Sequence, residues 1–149
     1  MTNFKTLENF KRLNEVQKEA VLHDKGPLLV LAGAGTGKTG VLTTRLSRLL
    51  IENIALPGEI LAVTFTNKAA NEMRSRVSDQ IGDKASGLKW LGTFHSISVK
   101  FLRRHAEALG YKSNFTILDT DDQKKLVRNI VKSENLDAKK FSPQLILYL

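Results

Sequence analysis

The chain has 149 residues, 42% of them hydrophobic, and no cysteine. That is enough apolar content for one buried core, and it excludes both a disulfide framework and a thiolate metal centre. The formal net charge of +8 favours a polyanionic partner, and the excess is shared between residues 1–93 and 94–149 with no basic tail. The polar, basic stretch from Met1 to Arg12 is unlike a secretion signal and no apolar run is long enough for a bilayer, so a reducing, cytoplasmic compartment is expected.

In chain order, a first helix is predicted from Asn14, with Val16, Ala20 and Val21 facing inward. A strand follows at about 27–32, where Leu28, Leu29, Val30 and Leu31 suit burial on both faces. The run then breaks into Ala32, Gly33, Ala34, Gly35, Thr36, Gly37, Lys38 and Thr39. After Thr39 the apolar residues Val41, Leu42, Leu46, Leu49 and Leu50 recur at helical spacing, giving a helix over 38–52. A strand running through a glycine-rich turn into a helix N-terminus surrounds a phosphate with backbone N–H groups. Lys38 would reach the β- and γ-phosphates, and the Thr39 hydroxyl would complete a Mg²⁺ shell otherwise made of water and phosphate oxygens. The first position of the motif is Ala32 where glycine is usual; the tight backbone demands fall on Gly33, Gly35 and Gly37.

Pro57-Gly58 marks a turn before a strand at Ile60 to Phe65. A helix is predicted from Lys68 to Ile81, with Ala69, Met73, Val77 and Ile81 on one face and Gly82 as its stop. A short strand at Leu88 to Leu91 leads through Gly92 into a helix from Phe94 to Leu109, carrying Ile97, Phe101 and Leu109. This alternation predicts an α/β fold with a parallel sheet. Beyond Gly110 the pattern turns helical. Asp119 to Glu134 places Leu126, Val127, Ile130 and Val131 inward, and Pro143 opens a further helix. Asp119, Asp121 and Asp122 read as the capped, acidic first turn of that helix and not as a magnesium site. His23, His95 and His105 lack ligand spacing for a metal.

Several other residues admit two roles. Asn14 and Gln17 have capping-box spacing, yet an amide also donates to one edge of a base while accepting from the other. Phe65 can pack in the core or stack on a base, and Asn67 can cap a helix or bind phosphate together with Thr66. Thr93 can cap the helix after it, and His95 can donate to phosphate.

Four segments in order, LNEVQ at 13–17, AGAGTGKT at 32–39, AVTFTNKAANEMRSRV at 62–77 and GTFHS at 92–96, resemble the N-terminal portion of UvrD/Rep/PcrA-type superfamily 1 DNA helicases. The likeness extends to FTILDTDDQ at 115–123. It implies a partial P-loop, RecA-like motor domain over 1–93 and the beginning of a helical subdomain over 94–149. It further implies an ATP- and Mg²⁺-dependent motor moving 3′ to 5′ on single-stranded DNA, acting at junctions of single- and double-stranded DNA in repair. Gln17 would recognise adenine, and Phe65, Thr66, Asn67, Thr93 and His95 would contact DNA. Where the family commonly carries arginine after GKT this chain has Gly40, which removes one flank of the adenine site. The acidic pair, the arginine finger and the second motor domain belong further along in the family, so the chain reads as the first fraction of a larger enzyme. Two other readings remain open: the motor part of a helicase–nuclease, and a truncated binding product without catalysis.

Overall fold

The starts of four helices coincide with side chains that satisfy their free N–H groups. In the computed structural model, which describes residues 4–148, Asn14 caps α2 (Glu15–Leu22), Thr66 caps α4 (Asn67–Ile81) and Asp119 caps α6 (Thr120–Ser133). At α5 (Phe94–His105) the Thr93 hydroxyl accepts from Ser96 N at 3.1 Å. Asp119 Oδ1 accepts from Asp121 N at 2.9 Å and from Asp122 N at 2.8 Å, so the acidic trio forms the first turn of α6. The cap of α4 is Thr66 instead of Asn67, because a residue with extended backbone just before the first turn is the one whose oxygen faces the free N–H groups.

The remaining elements are α1 (Glu8–Lys11), α3 (Lys38–Ile51), β1 (Leu61–Thr64), β2 (Trp90–Thr93) and α7 (Pro143–Tyr148). Single 3-10 turns occur at Phe4–Thr6, Pro57–Glu59, Gly82–Ala85 and Ala106–Leu109. The helix expected to reach Leu109 therefore stops at His105, and the strand expected at Leu88 begins two residues later. No helix among the described residues is long and apolar enough to cross a membrane. The chain divides into two compact units, Met1–Phe101 and Leu102–Leu149.

In the first unit β1 and β2 form a two-stranded parallel sheet, with Ala62 opposite Leu91 and Thr64 opposite Thr93. The fold is thus mixed α/β with flanking helices, as the strand–helix alternation predicts. One core joins Leu46 and Leu50 of α3, Met73 and Val77 of α4, Ala62 and Leu91. Val77 and Leu91, which are fully buried, each stabilise it by about 1.5–3 kcal/mol. A second core holds Phe4, Phe10, Ala20, Val21, Val41 and Ile51, with Phe4 and Phe10 edge to face at 4.9 Å.

The strand expected at 27–32 is not formed. The segment has no regular secondary structure and no ladder partner among the described residues, and Leu29 and Leu31 are 80% and 86% exposed. A strand buried on both faces needs a ladder neighbour and covering layers, and here β1 and β2 pair only with each other. Other expected core positions also lie open: Val16, Leu42, Phe101 and Leu109 in the first and second units, and Leu126 and Ile130 of α6, are all exposed, while Val131 is buried. Their helical spacing marks an apolar face, and a face is buried only where another element covers it.

Close approach makes one glycine obligatory. A Cβ on Gly87 would lie 2.7 Å from Pro57 Cβ and 3.2 Å from its Cγ, and the proline ring has no rotamer to move away. Gly87→Ala should therefore destabilise the chain by about 1–3 kcal/mol in denaturant melts. A neutral or stabilising result, the ordinary outcome where alanine fits the backbone, would show that this loop does not sit on Pro57.

Candidate nucleotide and nucleic-acid sites

The loop at 32–39 turns through Gly35 and Gly37, whose φ angles of 75° and 85° are open to glycine at no steric cost. Gly37 is the N-cap of α3 and supplies no side-chain cap. The Val41 N–H bonds Gly37 O at 3.1 Å, which leaves the N–H groups of Lys38, Thr39 and Gly40 without intrahelical partners. Unbonded donors at the positive end of a fourteen-residue helix are the arrangement that suits an anion.

Lys38 Nζ donates to Ala32 O at 2.8 Å and to Gly33 O, and the Thr36 hydroxyl donates to Gly33 O at 2.9 Å. The ammonium thus lies folded across the loop on two exposed carbonyls. Phosphate oxygens would be stronger acceptors for it, since the bonds would then be charge-assisted on both sides. Residues 32–39 are all exposed. Thr39 stands in the first turn of α3, where its hydroxyl is a hard oxygen donor of the kind Mg²⁺ takes.

Gln17 takes the capping role that its spacing allows. Its Oε1 accepts from Asn14 N at 3.1 Å and its N–H donates to Asn14 Oδ1 at 2.9 Å, completing the capping box. Its Nε2 simultaneously donates to Thr36 O at 3.0 Å, which joins α2 to the loop. Gln17, Asn14, Leu31, Gly33, Thr36 and Lys38 line a cleft of about 520 Å³. The apolar stretch 28–31 forms one wall of it.

Two arginines of α3 hold the far end of α2. Arg45 Nη1 donates to Ala20 O at 2.8 Å. Arg48 is buried, donates to Val21 O at 3.0 Å and to both Asp24 oxygens at 2.6 and 3.0 Å, and bonds Glu52 at 2.8 Å. Its guanidinium also lies 5.4 Å from the Phe4 ring. The hydrogen bonds from Arg48 hold the Asp24 carboxyl below the usual carboxylate range and raise the Arg48 pKa in turn. Sequence reasoning passed over this pair. The signal was available: Arg48 lies seven residues after Val41 and three before Ile51, on one helix face with them, and a cation on a core face needs an acidic partner.

At the ends of the parallel strands the register sets Phe65 beside Phe94, with ring centroids 5.3 Å apart and tilted by 49°. Phe65 is 89% exposed and Phe94 is half exposed, so Phe65 is not a core residue. Asn67 and His95 are exposed in the first turns of α4 and α5 at the same sheet edge. The Thr66 hydroxyl accepts from Ala69 N at 3.1 Å. Thr93 is buried with its hydroxyl engaged at the start of α5.

Residues 13–148 match the family model of the UvrD/REP helicase N-terminal domain. The chain belongs to this family. It is 50% identical over 137 residues to a protein named ATP-dependent DNA helicase PcrA from Staphylococcus epidermidis strain RP62A, covering 92% of this chain and 19% of that relative. Against the protein of the same name from Staphylococcus aureus strain Mu50 it is 50% identical over 135 residues, or 91% of this chain and 18% of the relative. This UvrD/REP segment therefore spans about a fifth of the length of the curated relatives it matches.

Proposed function

We propose that the chain is the nucleotide- and single-strand-binding portion of an ATP-dependent 3′–5′ DNA helicase that acts in repair at junctions of single- and double-stranded DNA. The observation that carries this reading is the start of α3, where unbonded N–H groups meet Lys38 and a loop to which Gln17 is hydrogen-bonded. Gly33, Gly35, Thr36 and Gly37 would wrap the phosphates with backbone donors, and the small side chains of Ala32 and Ala34 would leave room for them. Lys38 would exchange the Ala32 and Gly33 carbonyls for β- and γ-phosphate oxygens, and Thr39 would ligate Mg²⁺. Bound Mg²⁺ would neutralise charge developing on the transferred phosphoryl group. Gln17 would turn its amide toward adenine from a helix already seated on the loop. Gly40 offers no side chain to the other side of the base.

Phe65 is supported as a stacking ring by its exposure and by the Phe94 ring behind it. Asn67 and His95 can donate to phosphates on the same edge, while Thr66 and Thr93 hold the two helix starts that carry them. Phe65→Ala should cost about 1–3 kcal/mol of single-strand affinity and leave the melting temperature nearly unchanged. The slope of log affinity against log salt should stay the same, whereas loss of one phosphate contact would reduce it by about 0.7. A collapse in stability with unchanged DNA affinity would return Phe65 to a structural role and remove the DNA half of the proposal.

A further inference from the structure

Arg45 lies on α3, the helix whose first turn presents Lys38 and Thr39, yet its hydrogen bonds go to another element. Its Nη1 donates to Ala20 O at 2.8 Å and to Val21 O at 3.4 Å. These belong to the last turn of α2, where carbonyls lack intrahelical partners, and α2 has no basic residue of its own there. A guanidinium from outside satisfies those carbonyls and complements the negative helix end. At its other end α2 meets the loop through Gln17 Nε2 and Thr36 O, 3.0 Å apart. A short helix held at both ends cannot pivot about either contact.

We infer that Arg45 is a positioning residue for base recognition: by clamping the last carbonyls of α2 to α3, it fixes the Gln17 amide over the loop and so sets base selectivity without touching the nucleotide. The inference rests on the reading of Gln17 as the adenine-recognising residue. Arg48 serves the same end of α2 but is buried in the core and carries the Asp24 pair, so its loss would confound fold with function. Arg45 is only partly buried, and a methionine can keep the packing of its aliphatic stem. The phosphate donors of α3 do not depend on it.

The test compares Mg²⁺–ATP with Mg²⁺–tripolyphosphate, which carries the phosphates without a base. Binding of both is measured calorimetrically on the whole chain for the parent, Arg45→Met, Gln17→Ala and the double variant. Arg45→Met should weaken ATP roughly tenfold, as misplacing the Gln17 amide and losing its hydrogen bonding to the base implies, and leave tripolyphosphate unchanged. Gln17→Ala should do the same, and the double variant should be no weaker than Gln17→Ala alone, because the two residues act through one contact. Equal loss of both ligands in Arg45→Met, no loss of either, or an unfolded Arg45→Met chain would each overturn the positioning role. An unchanged ATP-to-tripolyphosphate ratio in Gln17→Ala would instead overturn the reading of Gln17 on which it rests.

Discussion

Lys38→Ala should abolish ATP turnover in a full-length protein carrying this segment, with a loss on the order of 10²–10³-fold or more in steady-state hydrolysis. Lys38 is the cation that lies on the loop, within 2.8 Å of the Ala32 carbonyl, and it sits one residue before the threonine proposed for Mg²⁺. In the proposed role its contribution would be electrostatic and would grow as charge develops on the γ-phosphoryl group, so the loss should appear in turnover and not only in affinity. The fold should survive, because Lys38 is exposed and buries nothing. Turnover within about tenfold of the parent, or about 1.4 kcal/mol of barrier, would mean that another group neutralises the phosphate and that the loop assignment is wrong.

Arg48→Ala should produce the largest loss of stability, about 2–3 kcal/mol from its charge-assisted hydrogen bonds together with the packing of its stem against Phe4. Equilibrium urea melts of the parent and variant would measure it. The same pair gives a signed pH effect. Because Arg48 lowers the folded-state pKa of Asp24 below its unfolded value, the contribution is fully present above the ordinary carboxylate range. It is lost as pH falls through that range toward the folded pKa. Asp24→Asn should accordingly flatten the acid side of the stability profile and change the neutral side only by a constant offset. A variant that kept the full acid slope would assign that slope to other carboxylates.

What the sequence made legible followed local chemistry. Asn14 with Gln17, Asp119 with Asp122, and Gly82 mark helix ends through bonds made within four residues, and those helices start and stop within one or two residues of expectation, the cap of α4 falling on Thr66 one residue before the expected Asn67. The loop was legible for the same reason: Gly35 and Gly37 answer a backbone requirement that only neighbouring residues impose. What stayed hidden depends on distant partners. Leu28 to Leu31 has the composition of a central strand, but its pairing is a property of neighbours and not of the segment. The short helix Glu8–Lys11 and the turn at Phe4 are too brief for any periodicity; they exist because Phe4 and Phe10 pack on each other and Phe4 lies against the Arg48 guanidinium. Gln17 is ambiguous in the sequence because capping and base recognition ask for the same amide; the structure shows the cap, and the bond from Nε2 to Thr36 O depends on a residue nineteen positions away that spacing does not reveal.

The central claim is that this chain holds a nucleotide between the start of α3 and Gln17. It is tested most directly by following backbone and side-chain amide resonances of the chain during titration with Mg²⁺–ATP. The account predicts saturable shifts concentrated at the N–H groups of Gly35 to Gly40 and at Gln17 Nε2, abolished in Lys38→Ala. Saturating nucleotide that leaves those amides unmoved, or shifts centred on α6 and α7 instead, would contradict it.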